Sequence, residues 1–203
     1  MQKKILNKNL IFLIIFFLIA SCSSVPKYPQ NACKIFGEKY FYLKYTRAAS
    51  KKWGVPISSI LAVINKESGF RRFAKPKRTK LFKIIPYRRP SSSLGFSQAV
   101  VKTFDLYKKE NNKPLALRIS FRNSSDFIGW YFWKTNKINK VSLNDTRNMY
   151  LNYYLGWQAY KNKAYQTDKK AIIFAKSVEK QAKIYKSQLQ ECKSVLNKSY
   201  IIF

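Results

Sequence analysis

The clearest periodic pattern lies near the end of the chain. Its apolar positions, spaced by four and three residues in turn, are Ala171, Ala175, Val178, Ala182, Tyr185, Leu189 and Cys192. This spacing predicts one long amphipathic helix with a continuous apolar stripe. A coiled-coil seam has the same spacing, but the small alanines favour packing against the helix's own domain.

Shorter helical patterns recur along the middle of the chain. Helices are predicted over residues 36–52, 58–68, 97–111, 126–134 and 143–160. Ser58 or Ser59 can cap the second helix, and Gly69 fits the position just past its end. Strict alternation of apolar and polar residues is rare, so the pattern predicts a mainly α fold.

Residues 71–90 break this helical pattern. They contain nine Lys or Arg, three Pro and no acidic residue, and so predict a loop too long to be a simple connection. Such a segment can form a lid or bind anionic wall material, and the alternative is a solvated charged loop.

The amino-acid composition excludes several kinds of catalytic site and metal site. The 203 residues are 46% apolar, enough for one domain with a real core. The chain has no His, which excludes Ser-His-Asp triads, Cys-His dyads and histidine metal ligands. Three Cys without a C-x-x-C pair exclude a four-cysteine zinc site. We therefore expect no metal and no cofactor.

The net charge of +31 indicates an acidic partner or surface. Lys, Asn and Ile are abundant along the whole chain, so an AT-rich coding bias is an alternative cause. Only nine Asp and Glu are present, and acid–base chemistry must come from one of them, or from Lys or Tyr.

The first residues have the pattern of an export signal. Three lysines precede an apolar run over residues 10–20, which is too short to cross a bilayer as a helix. The following Ile19-Ala20-Ser21-Cys22 resembles the lipobox of bacterial lipoproteins. The resemblance implies cleavage before Cys22 and lipidation of that cysteine; ordinary signal cleavage beside an incidental Cys is the alternative.

This resemblance sets the expected organisation of the chain. Residues 1–21 are a lipoprotein signal peptide, 22–32 a tether and 33–203 one domain. Ser23 after the Cys resembles an outer-membrane sorting signal, so we expect a lipid-anchored protein of the cell envelope, in the outer membrane and facing the periplasm. Nucleic acid is then not an expected partner, and no protein partner is predicted.

Two cysteines remain after lipidation. In an oxidising compartment Cys33 and Cys192 are expected to form a disulfide across a loop of 159 residues. Two buried free thiols are the alternative.

One glutamate occupies an unusual position. Ile60, Ile64 and Glu67 are separated by four and three residues, and so share one helix face. Burial at the end of an apolar stripe should raise the pKa of Glu67 and keep it partly protonated, as a general acid requires. The alternative is a helix-end glutamate that faces solvent or pairs with a lysine.

Three short motifs surround and follow this glutamate. Residues 67–70 read Glu-Ser-Gly-Phe, residues 95–98 Gly-Phe-Ser-Gln, and residues 152–156 Asn-Tyr-Tyr-Leu-Gly. In this order they resemble the E-S-G-F/Y, G-L-M-Q and A-Y-N-A-G motifs of SLT-type lytic transglycosylases, a lysozyme-like family that cleaves peptidoglycan. The insert 71–93 and residues 127–131 resemble a lipid-anchored subgroup. The resemblance implies a single lysozyme-like catalytic domain acting on glycan strands.

The resemblance also assigns roles. It implies that Glu67 is the catalytic acid and base, and that Ser68 bonds to Glu67 or to substrate. It implies that Gln98 hydrogen-bonds a sugar, that Gly95 lets the backbone approach it, and that Tyr153 lies near the glutamate. Helix-terminal polarity is the alternative for Gln98, and core packing the alternative for Tyr153.

Several other residues depart from the family pattern or are given no role by the resemblance. Tyr154 stands where many members have Asn, which leaves a substrate contact at Tyr154 open. Asp126 and Asp145 are candidates for a second carboxylate, but nothing in the sequence places them near Glu67, and Asp145 suits a helix cap. The four tryptophans can stack on sugars, although packing is the better interpretation for most.

A single glutamate is consistent with a lytic transglycosylase, which forms a 1,6-anhydro sugar without water. A muramidase on the same fold and a non-catalytic peptidoglycan-binding lipoprotein are the alternatives.

Overall fold

A computed structural model of the chain describes residues 25–82 and 84–193. Eight α-helices lie in this described part: α1 Ala32–Glu38, α2 Tyr40–Trp53, α3 Ile57–Ser68, α4 Val101–Glu110, α5 Phe121–Asn139, α6 Thr146–Leu155, α7 Trp157–Lys161 and α8 Lys169–Glu191. A 3₁₀ turn, Ala164–Gln166, precedes α8, and two short strands, β1 Lys80–Leu81 and β2 Ile85–Pro86, form an antiparallel hairpin. The predicted mainly α fold with a long C-terminal helix is confirmed.

The predicted signal peptide, Cys22 as the predicted lipidation site, and the start of the predicted tether lie outside the described residues. Within residues 25–82 and 84–193, no helix is both long and apolar enough to cross a membrane.

The long helix α8 packs against helices from both the first and the second half of the chain. Its stripe residues from Ala171 to Tyr185 are buried, and the stripe packs against α3 and α6. Leu189 and Cys192 continue the stripe at the edge of the core. A disulfide joins Cys192 to Cys33 in α1, the pairing expected from the sequence.

Helix α3 begins differently from the prediction. Pro56 precedes its first turn without a side-chain cap, whereas Ser58 and Ser59 are buried inside the helix. The predicted serine cap is therefore wrong, because Ser59 instead hydrogen-bonds Thr146 of α6 at 2.7 Å. Gly69 ends the helix in the left-handed region at φ 55°, as predicted.

Other helix bounds also differ from the predictions. The pattern over 36–52 divides at Lys39 into α1 and α2, and α1 begins earlier, at Ala32. Helix α4 begins only at Val101, because residues 95–98 form a turn rather than helix. The pattern over 143–160 divides at Gly156, whose φ of 88° separates α6 from α7. Helix α5 is longer than predicted because Ser120 caps it, its side chain accepting a hydrogen bond from the Asn123 backbone N–H.

Close packing of α5 on α2 depends on a glycine. A Cβ on Gly129 would lie 2.5 Å from Cδ1 of Trp53, so only glycine lets the tryptophan cross here. Helices α3 and α6 both pack on α8, and side chains from each of them line one cavity.

Candidate active site

Glu67 lies in the last turn of α3, where the chain turns away at Gly69. Ile60 and Ile64, on the same helix face, are buried. The carboxyl group is half-buried and accepts a hydrogen bond from the Tyr150 hydroxyl to Oε1 at 2.8 Å. Burial raises the pKa of Glu67 to about 7, against the opposing effects of the Tyr150 hydrogen bond and the Lys66 charge. At neutral pH the group is therefore poised between its acid and base forms.

The carboxyl group opens into a cavity of about 430 Å³. The described residues that line it are Glu67, Ser91, Ser93, Gln98, Ala99, Val100, Thr103, Phe127, Tyr131, Tyr153, Tyr154, Leu155 and Gly156. Glu67 is the only carboxylate among them. The lining combines aromatic faces with hydroxyl and amide groups, a combination that suits sugar rings and their hydroxyls.

Gln98 is held in the wall of this cavity by an unusual backbone. Its φ is 48°, and its Nε2 donates to the carbonyls of Ala74 and Gly95, both at 2.8 Å. Both amide hydrogens are used, so Oε1 is the atom that remains for a ligand. Helix-terminal polarity does not describe this position, since α4 begins three residues later.

Gly95 lies close to another part of the protein's own backbone. Its φ is 79°, and a Cβ would lie 2.1 Å from the carbonyl oxygen of Arg118. The close approach that requires glycine is therefore to the Arg118 backbone, and Gly95 is not among the cavity-lining residues.

Ser68 makes its hydrogen bond within α3. Its hydroxyl is buried and donates to the Ile64 carbonyl at 3.0 Å, one turn back along α3. Ser68 neither bonds Glu67 nor lines the cavity in this structure. It contributes to the helix end that positions Glu67.

Tyr153 and Tyr154 both line the cavity from α6. The Tyr153 hydroxyl donates to the Ser97 carbonyl at 2.5 Å, and burial raises its pKa well above the usual value. Its phenol is therefore neutral, and it both packs and forms part of the wall. The Tyr154 ring is 37% exposed and stacks on Tyr150 with centroids 6.2 Å apart.

Tyr150 is the site residue that the sequence reasoning missed. It precedes Tyr153 by three residues on α6, so the two side chains share a helix face. That spacing was the available signal, but no local feature indicates that its hydroxyl meets a glutamate 83 positions earlier.

The other two candidate carboxylates lie elsewhere. Asp126 accepts hydrogen bonds from Tyr107 at 2.6 Å, from Trp53 at 2.8 Å and from Lys113. Asp145 caps α6 by accepting from the Asn148 backbone N–H at 3.0 Å. Neither lines the cavity.

The tryptophans pack within the domain. The indole N–H groups of Trp130 and Trp157 donate to Glu110 and Thr135, and the Trp133 ring lies against the Trp53 ring. The aromatic lining of the cavity comes instead from tyrosines and Phe127.

Comparison with known proteins matches the chain to one family model. A family model described as "Transglycosylase SLT domain" matches residues 10–192, and so spans α1 to α8. No curated protein sequence matches the chain significantly.

Proposed function

The chain belongs to the transglycosylase SLT domain family, and on this premise we propose that it is a lytic transglycosylase of peptidoglycan. The bond cleaved is the β-1,4 linkage from N-acetylmuramic acid to N-acetylglucosamine. The observation that carries the proposal is Glu67, the only carboxylate among the described residues that line the cavity, with its pKa raised to about 7.

Glu67 acts first as a general acid. Its protonated carboxyl donates a proton to the glycosidic oxygen as the bond from that oxygen to muramoyl C1 breaks. An oxocarbenium-like centre forms at C1. Burial favours the protonated form that this step needs, because the ionised form is poorly solvated at the end of α3.

The same residue, now a carboxylate, acts as the base in the second step. It removes the proton from the muramoyl C6 hydroxyl while that oxygen bonds to C1. The product is a 1,6-anhydro sugar, no water is consumed, and Glu67 is protonated again. Tyr150, through its hydrogen bond to Oε1, stabilises the carboxylate between the two steps.

A single carboxylate is sufficient for this route. Hydrolytic glycosidases use a second carboxylate, as a nucleophile or to activate water. The nearest candidates by sequence pattern, Asp126 and Asp145, are engaged in contacts away from the cavity. This arrangement supports the transglycosylase over a muramidase.

Sugar binding falls to the remaining lining residues. Oε1 of Gln98 can accept a hydrogen bond from a sugar hydroxyl, and the hydroxyls of Ser91, Ser93 and Thr103 can exchange hydrogen bonds with others. The ring of Tyr154, in place of the family's Asn, can stack on a sugar face.

We also propose that the protein works as a lipoprotein of the envelope, attached through Cys22 to the outer membrane and facing the periplasm. The lipobox-like sequence at residues 19–22 supports this location. Peptidoglycan and the membrane are then its two partners.

The test is mass spectrometry of products from purified peptidoglycan. A soluble form that begins at residue 23 is compared with Glu67→Gln and with the matched control Glu179→Gln, which alters an exposed pair with Lys183 on α8. We expect muropeptides that are lighter by one water than hydrolysis products. They should be absent with Glu67→Gln and present with Glu179→Gln.

Other results would point elsewhere. Hydrated products would identify a muramidase and a second carboxylate or water-activating group. No product from folded protein would favour a non-catalytic peptidoglycan-binding lipoprotein.

A further inference from the structure

The β1–β2 hairpin exposes large apolar side chains that the catalytic proposal does not use. Phe82 is 81% exposed and Ile84 78%, and Ile85 and Tyr87 beside them are also exposed. Backbone hydrogen bonds between Thr79 and both Tyr87 and Arg88 extend the pairing and hold these side chains on one projecting element. Contiguous exposed apolar groups of this size mark an interaction site.

A basic cleft of about 530 Å³ lies at the base of this hairpin. Its lining residues are Val25, Arg71, Arg72, Phe73, Ala74, Lys75, Lys77 and Arg89. Arg89 donates to the Pro76 carbonyl, which fixes the hairpin to the cleft. The Arg72 Nε–H is buried without a hydrogen-bond partner among the described residues, so the cleft retains an unused donor.

The charged residues of this region are all basic. No acidic residue occurs between Glu67 and Asp105. Within the described part of the chain, no cation from Arg71 to Arg89 forms a salt bridge. Cations beside exposed aromatic and aliphatic side chains are the combination that binds the interface of an anionic bilayer, where phosphates meet acyl chains.

We propose that the hairpin and the basic cleft together form a membrane-binding surface, called here the hairpin surface. Phe82, Ile84 and Ile85 insert at headgroup level, and the cleft cations bind lipid phosphates. A glycan would suit the cations but would leave the aliphatic side chains unused. The proposal does not depend on the chemistry of Glu67.

The start of the described chain supports this orientation. Val25 lines the cleft, three residues after Cys22, the proposed point of lipid attachment. Three residues of extended chain span only about 10 Å, so the lipid and the cleft must reach the same membrane surface.

The hairpin surface is also coupled to the active site. Ala74 of the cleft accepts hydrogen bonds from Gln98 Nε2 at 2.8 Å and from the Gly95 backbone N–H at 2.9 Å. Ser91 and Ser93, which follow the hairpin, line the catalytic cavity. Membrane binding would therefore hold that cavity at a fixed position beside the bilayer.

The test measures insertion in the full chain reconstituted in vesicles. A polarity-sensitive fluorophore is attached to an Ile84→Cys variant, and in a matched control to Ile173→Cys, an exposed position on α8. Labelled wild type subtracts any probe taken up at Cys22. In vesicles of phosphatidylethanolamine with phosphatidylglycerol we expect a blue shift and quenching by lipid-borne quenchers at position 84 only.

Charge dependence completes the test. Lys75→Glu with Lys77→Glu should abolish most of the quenching, whereas the matched reversal Lys176→Glu with Lys180→Glu on α8 should not. An unchanged circular dichroism spectrum shows that each variant is folded, whether or not the protein cleaves peptidoglycan. Equal signals at positions 84 and 173, or a probe at 84 that responds to peptidoglycan and not to lipid, would overturn the proposal.

Discussion

The same domain holds two carboxylates with reduced exposure to solvent, the half-buried Glu67 and the buried Asp126, and their pKa values shift in opposite directions. Burial alone raises the pKa of each. Among the described residues, Glu67 accepts a side-chain hydrogen bond from Tyr150 alone, and its pKa stays raised at about 7. Asp126 receives hydrogen bonds from Lys113, Tyr107 and Trp53, which lower its pKa below the usual value.

The number and charge of the hydrogen-bond donors therefore distinguish a carboxyl group that can transfer a proton from one that has a structural role. A carboxylate with three donors, one of them cationic, is fixed in its ionised form and anchors α2, α4 and α5 around it. A carboxylate with one neutral donor keeps a proton that it can transfer. Burial alone does not distinguish Glu67, the proposed catalytic residue, from Asp126.

The largest expected effect is on the rate of cleavage. Glu67→Gln removes the transferable proton and should lower the rate of peptidoglycan cleavage by about 10²- to 10⁴-fold, the usual contribution of general acid–base catalysis. The measurement is the initial rate of soluble product release, with circular dichroism to show an intact fold. A rate within a few fold of wild type would place the chemistry elsewhere.

The second effect is on stability, at the other carboxylate. Asp126→Asn removes the negative charge beside Lys113 and should lower the free energy of unfolding by about 3 kcal/mol. The part-exposed ammonium group of Lys113 keeps the loss at the low end for such pairs. Urea unfolding measures it, and cleavage per folded molecule should change little.

Asp145→Asn is the matched control for Asp126→Asn. Asn caps helices as well as Asp does, so we expect a change within about 0.5 kcal/mol. Equal losses for the two variants would show that Asp126 is not the anchor described here.

The third effect is a pH dependence of stability at Glu67. Its folded pKa of about 7 exceeds the ordinary 4.5, so the folded state binds the proton more tightly than the unfolded state. Wild type should therefore lose about 2 kcal/mol of unfolding free energy as pH rises from 4.5 through 7. Glu67→Gln should lack this loss, so it should become relatively more stable at higher pH.

Thermal or urea unfolding of both proteins at pH 5 and pH 8 measures this difference. Asp126 changes in the opposite sense: its lowered pKa adds stability above its unfolded pKa, and this is lost as pH falls through the acid range. A pH-independent difference between wild type and Glu67→Gln would contradict the raised pKa.

The smallest expected effect is at Tyr150. Tyr150→Phe removes the hydroxyl that donates to the Glu67 carboxylate, so the pKa of Glu67 should rise further. The basic limb of kcat/KM against pH should move to higher pH, with only about a tenfold loss of rate. Tyr154→Phe keeps the ring and is the control; an unmoved limb in Tyr150→Phe would contradict the role of Tyr150.

The sequence predicts the parts of this arrangement that depend on local spacing. The helix stripe of α8, the left-handed Gly69 and the face shared by Ile60, Ile64 and Glu67 all follow from positions three and four apart. The capping of α6 by Asp145 is equally local.

Long-range contacts could not be predicted in this way. Gly95 is required by the Arg118 backbone, which lies 23 positions further along the chain. Asp126 accepts hydrogen bonds from residues of α2, of α4 and of the segment after α4. No sequence pattern within a single helix predicts contacts between such distant segments. Ser58 and Ser59 resemble cap residues by type, but the helix begins before them at Ile57, and Ser59 hydrogen-bonds Thr146 of α6.

The bond between Cys33 and Cys192 has a mechanical consequence. Tension applied between the segments that flank these two cysteines passes directly from α1 to the end of α8 through a covalent link. The intervening loop, with a sequence separation of 159, is then shielded from the load. Helix α1 therefore cannot unfold progressively from its N-terminal end under such tension. The cavity that holds Glu67 lies within the shielded loop and keeps its shape.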